Sequence, residues 1–198
     1  MKLCRQVGLL LLVLLGASGC LRATAPPDYY TLEALAQPPA VEAASAELRL
    51  GVLLKGIPEA LERVQIVTRE GNRVGLSEQH RWAAPLRREL ERVLATNLGR
   101  QLGSERVAAA PWPSYFHPTQ RLLVEVLRFD GALCGELELQ ARWVLTDAVG
   151  KTALLQRTSI QRVQADCDGY PGYVAAQSRA LALLSAEMAL VINNLSAE

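Results

Sequence analysis

The chain has 198 residues, half of them apolar, and a formal net charge of +1. That length predicts one domain with a packed core. Residues 1–19 contain two of the 21 basic side chains and no acid, which leaves 19 basic against 20 acidic side chains. A nearly neutral chain lacks the electrostatic attraction that nucleic-acid binding requires, so we expect no nucleic-acid partner.

The N-terminus has the pattern of a secretory signal. Lys2 and Arg5 precede an apolar run over residues 7–15. This run is about half the ~20 residues that a membrane-spanning helix needs. Small residues follow at positions 16–19, as a signal peptidase requires. We therefore predict that residues 1–19 are a removed signal.

Cys20 directly follows those small residues, and the stretch Ala17-Ser18-Gly19-Cys20 resembles a lipobox. In bacterial lipoproteins this cysteine is acylated and becomes the first residue. Leu21, rather than Asp, follows it, which resembles the sorting pattern for the outer membrane. We predict that the lipid on Cys20 anchors the chain to the periplasmic face of the outer membrane, with residues 20–27 as a tether. The alternative is a plain signal with a chance cysteine.

Residues 28–198 read as one domain built mainly of strands. Apolar alternation and turn residues delimit the strands. Gly71 and Asn72 are expected to supply the positive φ values of a tight hairpin turn. The stretch Phe129-Asp130-Gly131 is interpreted as a turn. The predicted strands cover the start of 28–35, then 47–54, 64–68, 73–76, 106–109, 121–129, 136–146 and 152–163.

Two helices are predicted, over Pro85–Leu102 and Tyr173–Leu195. In the first, leucines and valines recur at three- and four-residue steps, Gly103 ends the helix, and Arg87, Arg88, Glu91 and Arg92 cover the solvent face. Helices separated by strands favour an α/β or α+β fold in which two helices lie on a mixed, largely antiparallel sheet. Trp82 and Trp143 are expected in the core.

Two further cysteines belong to the mature domain in an oxidising compartment. Cys134 precedes one strand of the predicted antiparallel meander, and Cys167 follows the next. Both sulfurs are thus expected at the same end of the sheet, where a disulfide would close a loop of ~32 residues and stabilise by ~3 kcal/mol. The alternative is two free thiols.

The sequence contains no recognisable catalytic or metal-binding pattern. The two histidines, His80 and His117, are 37 residues apart, and no other histidine or cysteine is spaced for zinc. The stretch Asp166-Cys167-Asp168-Gly169 lacks the later ligands of a calcium loop. We expect no enzyme activity, no metal and no cofactor beyond the covalent lipid on Cys20.

Several specific motifs occur along the mature chain. The most specific is QIVTREGNRVGLSEQHRWAAPL over residues 65–86. The others are DYYTL at 28–32, GIPEAL at 56–61, APWP at 110–113, VLRFDG at 126–131 and ARW at 141–143. Together these motifs resemble the ABC-transport auxiliary lipoproteins of the PqiC/YmbA type. Cys134, shortly after the VLRFDG motif, departs from the family pattern, because a glycine-rich turn is expected there.

The resemblance implies a small α/β sandwich similar to the N-terminal domain of TolB. It also implies a non-enzymatic docking or scaffold subunit of an MCE-type system that moves lipids between membranes. The implied partners are an MCE-family protein and inner-membrane transporter subunits, together with other copies of the chain in a homo-oligomer. His80, Arg81 and Asp130 are candidate partner contacts. Alternatively, His80 and Arg81 belong to a buried polar network at the entry to the first helix.

Three other functions remain open at this point. The first is a periplasmic carrier that holds acyl chains in a cavity, although two modest helices and one sheet offer little apolar surface beyond a solid core. The second is an activator or scaffold of another envelope machine, such as wall synthesis. The third is a periplasmic enzyme, which the absence of a recognisable site disfavours.

Overall fold

The computed structural model describes residues 25–35 and 47–196. The predicted signal and Cys20 lie outside the described residues. The elements are β1 (Asp28–Tyr30), β2 (Leu50–Gly56), a 3-10 turn (Glu59–Leu61), β3 (Gln65–Glu70), β4 (Arg73–Trp82), α1 (Leu86–Gln101), β5 (Val107–Ala109), β6 (Gln120–Gly131), β7 (Glu136–Asp147), β8 (Ala153–Gln164) and α2 (Tyr170–Ser196).

The larger sheet has five strands in the order β5-β2-β6-β7-β8. β5, β2 and β6 are parallel, whereas β6, β7 and β8 form an antiparallel meander. The short connections and the apolar alternation explain the meander, because each strand pairs with its neighbour in sequence. The mixed α+β fold class predicted from the sequence is confirmed.

Both helices cover one face of this sheet. α1 contacts β2 and β5, α2 contacts β7 and β8, and the helices contact each other. In β7 every second side chain from Leu137 to Leu145 is fully buried, including Trp143. This alternation follows from the two-residue period of a strand, which directs alternate side chains toward the helices. The core therefore lies between the sheet and the helical layer.

The long helix α2 is a core element of the domain. By length and composition its segment Tyr170–Leu195 could cross a membrane, but 67% of the apolar window is buried within the protein. Its buried stripe packs on β7, β8 and α1. The apolar composition is explained by this packing.

The smaller sheet has three strands in the order β1-β4-β3. β3 and β4 form the predicted hairpin, in which Glu70 pairs with Arg73 across a two-residue turn. Gly71 has φ of +59°, but no described residue other than glycine has a positive φ, so the expectation for Asn72 is wrong. A two-residue turn with glycine first requires a positive φ only at that first position.

The segment after β1, residues 31–35, is bound to both helices. The backbone N–H of Leu32 donates to Oε2 of Glu89 on α1 at 3.2 Å. The N–H of Glu33 donates to the hydroxyl of Ser178 on α2 at 3.1 Å. Leu32 itself is 1% exposed. The start of the domain is thus fixed to the helical layer.

Glu91, which was predicted on the solvent face of α1, is buried, so that prediction is wrong for this residue. This residue is 6% exposed, and its Oε1 accepts the backbone N–H of Leu54 at 3.3 Å. The end of β2 covers this part of the helix, so the carboxylate satisfies a backbone donor that would otherwise be unpaired. Gly103 ends α1 as predicted, with φ of +57°.

Candidate functional site

The two sheets meet at Tyr173, near the start of α2. Its hydroxyl donates to the carbonyl oxygen of Val67 in β3 at 2.9 Å. The hydroxyl oxygen of Tyr173 also accepts the N–H of Gly131 in β6 at 3.1 Å. Burial raises the pKa of the Tyr173 phenol well above its usual range. One buried side chain therefore links one strand of each sheet to α2.

Asp130, next to Gly131, forms ion pairs at this junction between the two sheets. Its Oδ2 accepts Nε of Arg69 from β3 at 2.7 Å, and its Oδ1 accepts Nε of Arg128 at 2.9 Å. The Asp130 side chain is 4% exposed. The hydrogen bond to Asp130 raises the pKa of Arg128. A nearly buried carboxylate is tolerated here because both of its oxygens are paired with cations.

The turn predicted at Phe129-Asp130-Gly131 is therefore wrong. These residues form the end of β6, and Gly131 does not have a positive φ. A Cβ on Gly131 would collide with the backbone of Glu136 and Leu137. Close approach of β7, rather than an unusual φ, explains the glycine.

The charged side chains continue across the sheet from β6 to β8. Nη1 of Arg128 lies 3.1 Å from Oε1 of Glu138, and Nε of Arg162 lies 2.9 Å from Oε2 of the same carboxylate. Arg162 also lies 3.6 Å from Oε1 of Glu136. These charged side chains form a row because they are cross-strand neighbours that all project from the face opposite the helices.

A groove of about 360 Å³ opens between this row and the β3–β4 hairpin. Its charged lining residues are Arg69, Arg128 and Asp130. Its apolar wall comes from the 3-10 turn and from β6. The groove is further lined by Pro58, Leu61, Asn72, Leu127 and Gln140.

His80 lies in a second cluster, where β1 meets β4. Its Nδ1 is hydrogen-bonded to the Tyr30 hydroxyl at 2.9 Å. Its ring stacks on Tyr170 with centroids 4.0 Å apart, and Nδ1 is 3.6 Å from Oδ2 of Asp28. Burial, followed by the charge of Asp28, raises the pKa of Tyr30. This cluster joins the start of the domain to the first turn of α2.

The three candidate contact residues are not brought together as one surface. Asp130 is nearly buried in the larger sheet, where it pairs with the more exposed side chains of Arg69 and Arg128. His80 and Arg81 are neighbours in β4 of the smaller sheet. Arg81 donates from Nε to the carbonyl oxygen of Glu78 at 3.1 Å, and its side chain is 34% exposed. Of the three, Arg81 is the most accessible.

Cys134 and Cys167 form a disulfide in the structure, with their Cα atoms 4.5 Å apart. Beside it, the N–H of Ala165 donates to the carbonyl oxygen of Gly135 at 2.9 Å. The bridge connects the β6–β7 turn to the segment that enters α2. It therefore lies at the same end of the domain as the Asp130 and His80 clusters.

Sequence reasoning missed several residues of this end of the domain: Tyr30, Arg69, Arg128, Tyr170 and Tyr173. One local signal existed, because Arg128 and Asp130 are two apart in a strand and so tend to share a face. The others meet partners that are distant in sequence. Within residues 25–35 and 47–196, no group of three or more His, Cys, Asp or Glu side chains could hold a metal ion.

Comparison with known proteins decides the family. The family model described as the ABC-type transport auxiliary lipoprotein component matches residues 30–189. The chain belongs to this family. Members are envelope-associated lipoproteins that assist ABC transport systems, and the family is not one of enzymes. The resemblance identified from the motifs is thereby confirmed.

Solved structures support the fold. Protein XCC0632 from Xanthomonas campestris is 15% identical with a TM-score of 0.70, and the match covers 86% of this chain and 98% of that one. An uncharacterised protein of known structure is 24% identical with a TM-score of 0.67, covering 85% of this chain and 99% of that one. No curated protein sequence matches this chain. At these identities the likeness concerns the fold alone.

Proposed function

We propose that this auxiliary lipoprotein is a non-enzymatic docking subunit of an MCE-type system that moves lipids between the inner and outer membranes. The observation that carries the proposal is the family match over residues 30–189. Its partners would be an MCE-family protein and inner-membrane transporter subunits. The lipid on Cys20 would be its only covalent group, and it would hold the domain at the periplasmic face of the outer membrane.

The attachment of the domain's first residues supports a tethering mechanism. Eight residue steps separate Cys20 from Asp28, the first residue of β1. A chain of that length reaches at most about 29 Å. Because β1 is paired with β4 and residues 31–35 are bound to both helices, the domain would stay close to the bilayer. Confinement of this kind raises the effective concentration of a partner that reaches the same membrane.

The partner surface that we propose includes Arg81 and the edge of the His80 cluster. Arg81 is accessible, whereas the stacked ring of His80 would set the position of β4 beneath it. Several copies around one transporter would form a homo-oligomer. The mass of the purified assembly, measured by light scattering, would show whether the chain is monomeric instead.

The anchor is tested by Cys20→Ala. If the proposal holds, the wild-type protein fractionates with the outer membrane and carries acyl chains by mass spectrometry, while the variant loses both properties. The tagged wild-type protein, solubilised in mild detergent, should co-purify with an MCE-family or transporter subunit. Retention of unacylated Cys20→Ala protein in the outer membrane would exclude the lipid anchor.

A carrier function is the second candidate, and the groove beside Arg69 and Arg128 is the observation that favours it. At about 360 Å³, the groove is at the small end of ligand pockets. It could hold a polar headgroup but not two acyl chains. Native mass spectrometry would detect a phospholipid that remains bound through purification.

A further inference from the structure

The groove between the hairpin and the larger sheet presents hydrogen-bond donors that other described residues do not use. Arg69 uses only Nε to bind Asp130. Arg128 uses Nε and Nη1, and its Nη2 makes no hydrogen bond within the described part of the chain. The side-chain amides of Asn72 and Gln140 also line the groove and have no described partner. Such a set fits a ligand rich in acceptor oxygens.

The charge balance beside the groove favours an anion. Arg69 and Arg128 share the single carboxylate of Asp130. The carboxylate of Glu138 pairs with both Arg128 and Arg162. The lining of the groove contains two guanidinium groups, those of Arg69 and Arg128, and one carboxylate, that of Asp130, whose side chain is 4% exposed. Arg162, Glu136 and Glu138 do not line the groove.

The geometry of the arginines suits a phosphate group. A guanidinium presents its N–H donors in a planar fork that matches two oxygens of one phosphate. Asp130 holds both arginines by Nε, and Glu138 holds Nη1 of Arg128, which leaves both terminal nitrogens of Arg69 and Nη2 of Arg128 without a partner among the described residues. Asp130, which itself lines the groove, would therefore preorganise the two cations.

Part of the lining is apolar. Pro58 and Leu61, at the 3-10 turn, and Leu127 of β6 line the groove together with the donors. A phosphate that carries a glycerol ester would place its apolar end there. We propose that this groove binds the phosphate headgroup of a glycerophospholipid through Arg69 and Arg128. The choice of a lipid as the source of the phosphate rests on the proposed function in lipid transport.

Calorimetric titration of the mature lipoprotein in a neutral detergent tests the site. The probes are dihexanoyl phosphatidylglycerol, glycerol 3-phosphate, inorganic phosphate and dihexanoylglycerol, which lacks the phosphate. We expect phosphatidylglycerol to bind most tightly and dihexanoylglycerol not to bind. Arg69→Gln should weaken phosphatidylglycerol binding about tenfold or more, because a charge-assisted hydrogen bond is lost, and Arg69→Lys should weaken it less.

Arg73→Gln is the matched control, since Arg73 lies in the same hairpin but not in the groove lining. It should change the affinity less than twofold. Equal affinities of Arg69→Gln and Arg73→Gln, or equal binding of dihexanoylglycerol, would overturn the site. Equal affinity for inorganic phosphate and phosphatidylglycerol would overturn the lipid as ligand. Failure to recover a transporter subunit from cells would count against the proposed function alone.

Discussion

The Tyr173 hydroxyl donates to the carbonyl oxygen of Val67 at 2.9 Å across 106 residues of sequence. Tyr173→Phe removes this bond and the acceptor for the Gly131 N–H, and leaves two buried backbone groups unpaired. We expect a loss of about 1 to 3 kcal/mol in the free energy of unfolding, measured in urea. Tyr115→Phe, at an 83% exposed position, should change it by under about 0.5 kcal/mol. Equal effects would refute the structural role of Tyr173.

Because of the buried Tyr173 phenol, we expect the domain to lose stability at alkaline pH. Its pKa is raised above the ordinary value of 10.0 by burial. Above that value the folded state keeps the phenolic proton that the unfolded state releases, so the free energy of unfolding falls as pH rises. The wild-type protein should therefore lose stability from pH 10 upward, and Tyr173→Phe should show a shallower decline. Parallel pH curves for the two proteins would contradict the raised pKa.

The disulfide is expected to stabilise the domain through chain entropy. Cys134 and Cys167 are separated by 33 positions, and closing a loop of this size contributes about 3 to 4 kcal/mol. Cys134→Ala, Cys167→Ala and the double variant should therefore lower the melting temperature by similar amounts. Alkylation of the unreduced wild-type protein, followed by mass spectrometry, should label neither cysteine. Labelling of both would show free thiols.

We expect Asp130 to contribute more to the free energy of unfolding than a surface carboxylate with a single partner. Asp130→Asn removes the charge that holds Arg69 and Arg128, and should cost about 1.5 to 3 kcal/mol, because hydrogen bonds to charged groups are lost. Asp166→Asn removes a carboxylate that is 67% exposed and pairs with Arg179, which should cost at most about 1 kcal/mol. Urea unfolding of both variants measures the difference. A smaller loss in Asp130→Asn than in Asp166→Asn would contradict this account.

Local patterns predicted the elements that pair with sequence neighbours. The β6–β8 meander follows from strand alternation and short turns, and Leu90, Val93 and Leu94 defined the buried face of α1. The expectation that Cys134 and Cys167 share one end of the sheet used the same local reasoning. In each case the information lies within a few residues of the element.

Contacts between distant segments could not be predicted in this way. β1 pairs with β4 in parallel, so that Asp28 lies opposite His80. Nothing near either residue specifies that partner. Glu91 appeared to belong to a solvated face because its burial depends on β2, which comes much earlier in the chain. Asp130 suggested a turn because the residue type favours turns, while its pairing with Arg69 outweighed that preference.

The most direct test of the docking role is crosslinking in intact cells from a photoreactive residue placed at position 81. We expect this position to capture an MCE-family protein or an inner-membrane transporter subunit. Position 115, in the exposed loop between β5 and β6, is the comparison site and should capture less. Recovery of no such subunit from position 81, position 115 or any other exposed position would contradict the proposed function.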